Sequence, residues 1–469
     1  MNCLGMDYGT TSVKAILFDE GGRELVSVTR DYTVNAAGNT VELPAKKYLE
    51  LLFEILEEIG AEHKIDCLAI DTQCETLILA DENGEPVRDA IVWLDNRATA
   101  EAEMIEAHFG RKKVYEITGQ PEITATWPAC KLLWVKRNEP EVFQKTKKIF
   151  LLEDYLLYAL TGKFVTEKTL QSSTIYFDIK KNCYWQEMLD FIGVAEEQLP
   201  ALMDSGKLVG EWNGAKVVTS AMDQVAGAIG AGVIRPGIIS EMTGTTMAIY
   251  VPTDKMPPYD ENSFVPCHFS YDGGFALLSW SPTAGMALKW FREAFLSDTS
   301  FRALDEMAEK IPVGSDGVTF LPYLCGSTMP KYNPDARGSF TGLTPEHTPA
   351  HFVRAIMESV SCMLKSNLDY LGVPCEEIRV MGGGAKSPLW CGMKADLTGK
   401  RLFTLKNKET ACLGSAILAG VGAGIFSSVA AACDAIVSTD KEYVPSGADY
   451  SAVYAAFQKY DAILNVKGE

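Results

Sequence analysis

Two short turns, Gly9-Thr10-Thr11 and Gly244-Thr245-Thr246, stand half a chain length apart, each between two apolar runs. In the first copy the entering run ends on Asp7, and the leaving run, 13–18, carries Lys14 near its start. A tight turn between strands leaves backbone N–H groups free for phosphate oxygens, and the neighbouring carboxylate suits the Mg²⁺ that accompanies nucleotide phosphates. One such turn is an ordinary hairpin. Two, one in each half, predict related lobes closing on a single phosphate chain.

Two further segments have the composition of a site. Gly382-Gly383-Gly384-Ala385-Lys386-Ser387 follows an expected strand at 378–380 and opens an expected helix at 388–397. It fits neither the Walker pattern, which needs Gly before the Lys, nor Gly-x-Gly-x-x-Gly. Consecutive glycines still let backbone approach a nucleotide at a helix N-terminus; a purely structural turn is the alternative. Asp223, placed at the end of a strand beginning near Val217, enters a helix of small residues, Ala226, Gly227, Ala228, Gly230 and Ala231. It is either a helix N-cap or a general base aimed into a cleft, as phosphoryl transfer to a hydroxyl requires. His347 and His351 have helical spacing, but Pro349 lies between them and no glutamate completes a zinc pattern.

The elements that must position these residues alternate between strand and helix, which predicts α/β layers. In the first half strands are expected at 65–71, 77–79 and 90–93, with helices at 45–59, 98–108, 131–136 and 155–160. Pro236-Gly237 punctuates two apolar runs and marks a boundary between a lobe at 1–236 and one at 237–469. The second half repeats the theme, with strands at 238–243, 247–251 and 275–280, and helices at 284–295 and 450–464. The uncharged stretch 411–433 is long enough for a bilayer, but its glycines and serines predict a buried helix at 409–419 and a glycine-rich turn.

At 469 residues the chain exceeds one growing core, so two domains are expected. A net charge of −19 argues against nucleic acid and anionic membranes as partners. The 12 cysteines include no Cys-x-x-Cys pair and several sit in apolar runs, which predicts buried free thiols and a reducing, cytoplasmic setting. No signal-peptide pattern opens the sequence.

Together the motifs resemble the FGGY family of carbohydrate kinases over nearly the whole chain. Residues 6–14 look like the family's first phosphate motif and Thr243-Gly244-Thr245-Thr246 like its second. Thr126-Trp127-Pro128-Ala129-Cys130-Lys131-Leu132-Leu133-Trp134 and Gly338-Ser339-Phe340-Thr341-Gly342-Leu343, with the stretch 351–358, match its signatures. The resemblance implies two RNase H-like lobes of the actin and hexokinase type, with ATP and Mg²⁺ in the cleft and possible homodimers. It implies Asp223 as catalytic base and Asp7 as the carboxylate assisting the metal. Gly9, Thr10, Thr11, Lys14, Gly244, Thr245 and Thr246 would hold phosphates, and Gly383, Gly384 and Ala385 would line the adenosine pocket. Gln73, Cys74, Glu75, Trp93, Asp95, Arg97 and Gln224 would contact a small sugar or polyol. Xylulokinases usually carry Gln-Met-His where this chain has Gln73-Cys74-Glu75, and glycerol kinases Gln-Arg-Glu. The expected acceptor is a neutral ketopentose such as xylulose, with glycerol or another polyol as the alternative. Actin-like ATPases share the lobes, but they need no polar sugar loop.

Overall fold

The computed structural model describes residues 1–329 and 332–464. Its first half is organised by a six-stranded sheet in the order Leu208–Trp212, Ala215–Val218, Cys67–Thr72, Cys3–Tyr8, Ser12–Phe18, Glu24–Asp31. The strand Cys3–Tyr8 runs antiparallel to Ser12–Phe18 and parallel to Cys67–Thr72. Both central strands are buried along nearly their whole length, as strands covered on two faces must be. The helix Ala45–Glu62 covers this sheet with Tyr48, Leu51, Leu52, Ile55, Leu56 and Ile59, a stripe at three- and four-residue spacing.

The second half repeats the topology. Its seven strands run in the order Cys267–Phe269, Phe275–Ser281, Met247–Thr253, Gly237–Thr243, Cys375–Met381, Arg401–Leu405, Thr439–Tyr443. Again the leading strand pairs antiparallel with its successor and parallel with a strand delivered by a long crossover. The chain is thus an α/β protein of two lobes, each built on an antiparallel meander extended by parallel strands.

Sequence patterns place these elements well, with two informative exceptions. The strand expected at 90–93 stops at Ile91, because the carbonyls of Val92 and Trp93 turn instead to the ammonium of Lys131, at 3.0 and 3.4 Å. The strand expected to deliver Asp223 stops at Val218, and a four-residue loop intervenes. The uncharged stretch forms two helices, Thr410–Gly422 and Val429–Ile436, and no described helix is long and apolar enough to cross a membrane.

The helix Thr410–Gly422 belongs to the second half by sequence but packs on the first sheet and on the helix Asp223–Gly230. Glycines permit it. A β-carbon on Gly414 would lie 1.8 Å from the Ala226 carbonyl oxygen, one on Gly230 1.9 Å from that of Thr410, and one on Gly5 1.8 Å from that of Cys412. All these obstacles are backbone, which cannot rotate aside. Gly414→Ala should therefore destabilise the protein by at least about 3 kcal/mol, the upper end of overpacking costs. Gly392→Ala, a helical glycine with open space around it, should instead stabilise by about 0.5 kcal/mol or more. Urea unfolding of the two variants beside the parent protein checks both signs.

Candidate active site

The first Gly-Thr-Thr turn sits at the edge of the first sheet. Tyr32 donates its hydroxyl proton to the Gly9 carbonyl, and the Trp93 indole N–H donates to Thr10 Oγ1 at 2.9 Å. Thr11 is exposed. Lys14 reaches across to the other half and pairs with Glu409 at 2.8 Å.

Asp7 lies next to last in its strand and is register partner to Asp71 on the neighbouring parallel strand. Burial, then the Asp223 carboxylate, pushes the Asp7 carboxyl up to about 6. Asp71 is pushed well above the ordinary range by complete burial and by Asp7. Its Oδ2 accepts the Ser415 hydroxyl at 2.6 Å, while Oδ1 has no partner. From the sequence Asp71 stands only as a fallback candidate for the base, although a stronger signal was present. Cys3-Leu4-Gly5-Met6-Asp7 and Cys67-Leu68-Ala69-Ile70-Asp71 are near copies, and the strands pair in that register.

Asp223 is the first residue of its helix, but the cap position belongs to Met222 and no side chain caps the helix. The Asp223 carboxylate, half-buried, instead accepts the Gln224 N–H at 2.6 Å and faces Cys74 Sγ at 3.7 Å. Burial raises its pKa, against the Gln224 hydrogen bond. The Cys74 thiol, raised well up by burial and by Asp223, stays a neutral S–H donor.

Glu75 holds a backbone φ of +59°, a left-handed conformation that is costly without a reason when the residue is not Gly, Asn or Asp. Lys131 supplies the reason. Its fully buried ammonium donates to the carbonyls of Glu75, Val92 and Trp93 and thereby ties two loops together. Burial raises the Glu75 carboxyl and lowers Lys131.

Other candidates are engaged by neighbouring groups of the same lobe. Gln73 is buried, its amide N–H₂ shared between Tyr32 and Tyr48 and its Oε1 unpartnered. Asp95 is wholly buried: Oδ2 takes the Val41 N–H at 2.6 Å, and both oxygens pair with Arg97. Arg97 also bridges to Glu42. Asp95 and Arg97, expected to meet the sugar, are thus engaged with each other, with Val41 and with Glu42 inside the lobe. His351 caps the helix Pro349–Leu371, taking the Thr348 N–H on Nδ1 and facing Asp316 with Nε2.

Gly244, Thr245, Gly383 and Gly384 line one cavity of about 690 Å³, together with Gly285, Lys289, Ser387 and Trp390. That is a size suited to a nucleotide-sized ligand. Thr246 and Ala385 lie off its wall; Ala385 faces a neighbouring cavity of about 490 Å³. Two close approaches shape the pocket. A β-carbon on Gly285 would stand 2.3 Å from the Gly244 oxygen, and one on Gly382 2.7 Å from the Thr243 oxygen. Beneath them Lys394 and Glu241, both fully buried, pair at 2.7 Å, with Lys394 also bonded to the Thr243 hydroxyl at 2.8 Å. Sequence reasoning missed this pair because lysine and glutamate so far apart in sequence carry no pattern.

Comparison with known proteins decides the family. The description "FGGY family of carbohydrate kinases" matches residues 2–232 with its N-terminal domain and 253–423 with its C-terminal domain. The chain belongs to the FGGY carbohydrate kinases. It is 28% identical to a xylulose kinase of Bacillus subtilis, over 98% of this chain and 96% of that protein. It is 29% identical to a gluconokinase of the same species, over 93% and 90%. The ligand-bound structure of a Lactobacillus acidophilus xylulose kinase superposes with a TM-score of 0.91 at 26% identity, covering 99% of each chain. The protein is therefore a carbohydrate kinase of the two-lobed actin and hexokinase type.

The carboxylate cluster has a consequence for stability. Asp7 binds its proton more tightly folded, near pH 6, than unfolded, near 3.8. Its contribution is full below pH 3.8 and is lost as pH rises through 6. In metal- and nucleotide-free protein, Asp7→Asn should gain melting temperature relative to the parent between pH 4 and 7. Parallel curves would separate Asp7 from the cluster.

Proposed function

We propose that this kinase transfers the γ-phosphoryl group of ATP to a hydroxyl of a neutral ketopentose of the xylulose type, with Asp223 as general base. The observation that carries the reading is the placement of Asp223. Its carboxylate is held by one backbone N–H and a neutral thiol, close enough to Asp7 to raise that carboxyl. A carboxylate with raised pKa is a better proton acceptor near neutrality.

In this reading the acceptor hydroxyl gives its proton to Asp223 while its oxygen forms the new bond to phosphorus and the bond to ADP breaks. Cys74 and Glu75 line the acceptor side, with Trp93 beside Thr10. Gly244 and Thr245 present backbone groups to the phosphates, and the cavity reaching Gly384 takes the adenosine. The segment 1–236 thus handles the acceptor and 237–469 the nucleotide. Mg²⁺ bound to the nucleotide would neutralise charge developing on the phosphoryl oxygens. The residues fit a hydrated ion. Among the described residues no group of three or more side chains could hold a bare metal, but Asp7, beside Asp71 and raised by burial and by Asp223, can hold one that keeps its waters.

Charge supports a neutral acceptor. Asp223 and Asp7 supply negative charge beside Glu75, whose buried carboxyl is pushed up to about 8 and can donate as well as accept a hydrogen bond, and the Lys131 ammonium is occupied by carbonyls behind the loop. An aldonate carboxylate would meet repulsion there. A polyol acceptor is the second reading, favoured by Glu75 and the adjacent Asp223-Gln224, which match the glycerol-kinase pattern. ADP-coupled turnover over pentuloses, hexuloses, glycerol, tetritols and gluconate tests the choice. The highest kcat/KM should fall on a ketopentose, and gluconate as best acceptor would overturn the pocket assignment.

Asp223→Asn tests the base. It keeps the shape but cannot take the proton, so kcat should fall on the order of 10²–10⁴-fold, with melting temperature and ATP binding near the parent values. A variant retaining a third of kcat would leave Asp223 without the catalytic role.

A further inference from the structure

The loop that carries Asp223, residues 219–222, crosses from a strand that ends at Val218 to a helix without a side-chain cap. Its position is set from behind, by groups that never reach the cleft. The Thr219 hydroxyl donates to the Asp204 carbonyl at 2.8 Å and accepts the Lys207 N–H at 2.9 Å. The Ser220 N–H donates to Glu153 Oε1 at 2.9 Å, and the Met222 N–H to Thr169 Oγ1 at 2.8 Å.

The Thr169 contact is fixed in direction. A hydroxyl has one proton to give, and Thr169 gives it to Glu167 Oε2 at 2.5 Å, which leaves a lone pair for Met222. Glu167 is itself held, by the Leu170 N–H at 3.0 Å and the Ser205 hydroxyl at 2.7 Å. Thr169 and Glu167 are completely buried. Met222 immediately precedes the candidate base, so a shift of its amide moves the Asp223 carboxylate directly.

We propose that Thr169 is a positioning residue for phosphoryl transfer: its hydroxyl, oriented by Glu167, fixes the Met222 amide and so the direction of the Asp223 carboxylate. The inference rests on Asp223 being the base. Thr169 touches neither acceptor nor nucleotide, so its loss should act on the chemical step and not on binding.

Thr169→Val keeps the volume and removes the acceptor. Misplacing a catalytic group by a fraction of its reach is costly, so kcat should fall about tenfold to a hundredfold. KM for acceptor and for ATP should stay within about twofold. Thr169→Ser, which restores the oxygen, should recover kcat to within about threefold, and the Met222 amide should exchange faster with solvent in the valine variant alone. If the valine variant does not fold, Thr169→Ala removes the same oxygen and is read identically. Turnover within twofold of the parent in the valine or alanine variant overturns the inference, as does a rise in both KM values with kcat unchanged. Asp223→Asn, measured alongside, separates the two claims. If it abolishes turnover while Thr169→Val does not, the base stands and the positioning role falls; if it retains turnover, the base falls first.

Discussion

The packing of the helices Thr410–Gly422 and Asp223–Gly230 at backbone contact is the constraint on which the rest depends. Each helix presents a glycine to the other's carbonyl, and a third glycine, in the strand bearing Asp7, receives the Cys412 carbonyl. Side chains of any size would wedge the halves apart and carry Glu409 away from Asp7 and Lys14. The same seam carries a polar link from the second half into the first. The Ser415 hydroxyl bonds both Asp71 and the Ser220 hydroxyl, each at 2.6 Å. The helix that joins the lobes therefore also holds Asp71, the register partner of Asp7, and Ser220, in the loop before Asp223.

Much of this was legible in the sequence because it rests on local patterns. Turn glycines, apolar runs and the small-residue helix after Asp223 are readable over a few residues, and the doubled turn announced the doubled topology. What escaped depends on distant partners. Nothing nearby in sequence shows that Asp95 and Arg97 are engaged by Val41 and Glu42. The early end of the strand at Ile91 follows from a lysine forty residues on. The loop before Asp223 reads as strand by composition, and its release into a turn reflects hydrogen bonds to Glu153 and Thr169.

Buried charge is handled differently in the two lobes. In the second, Lys394 and Glu241 meet as a closed pair, with Lys394 also bonded to Thr243 at the wall of the larger cavity. In the first, carboxylates outnumber cations. Glu153, Asp154 and Glu167 are all buried, and burial raises each of their pKa values. They act as acceptors for backbone and hydroxyl groups without a counter-ion, and the raised pKa values are what that environment demands.

The left-handed backbone at Glu75 also limits which residues can replace it. β-Branched residues are nearly closed at this position, since their side chains clash in that conformation, and only glycine, asparagine and aspartate enter it readily. Sequence space in this loop is thus narrow at 75 and wide at 74, where the backbone makes no such demand. A library seeking a new acceptor gains more from varying Cys74 and Trp93 together than from saturating Glu75.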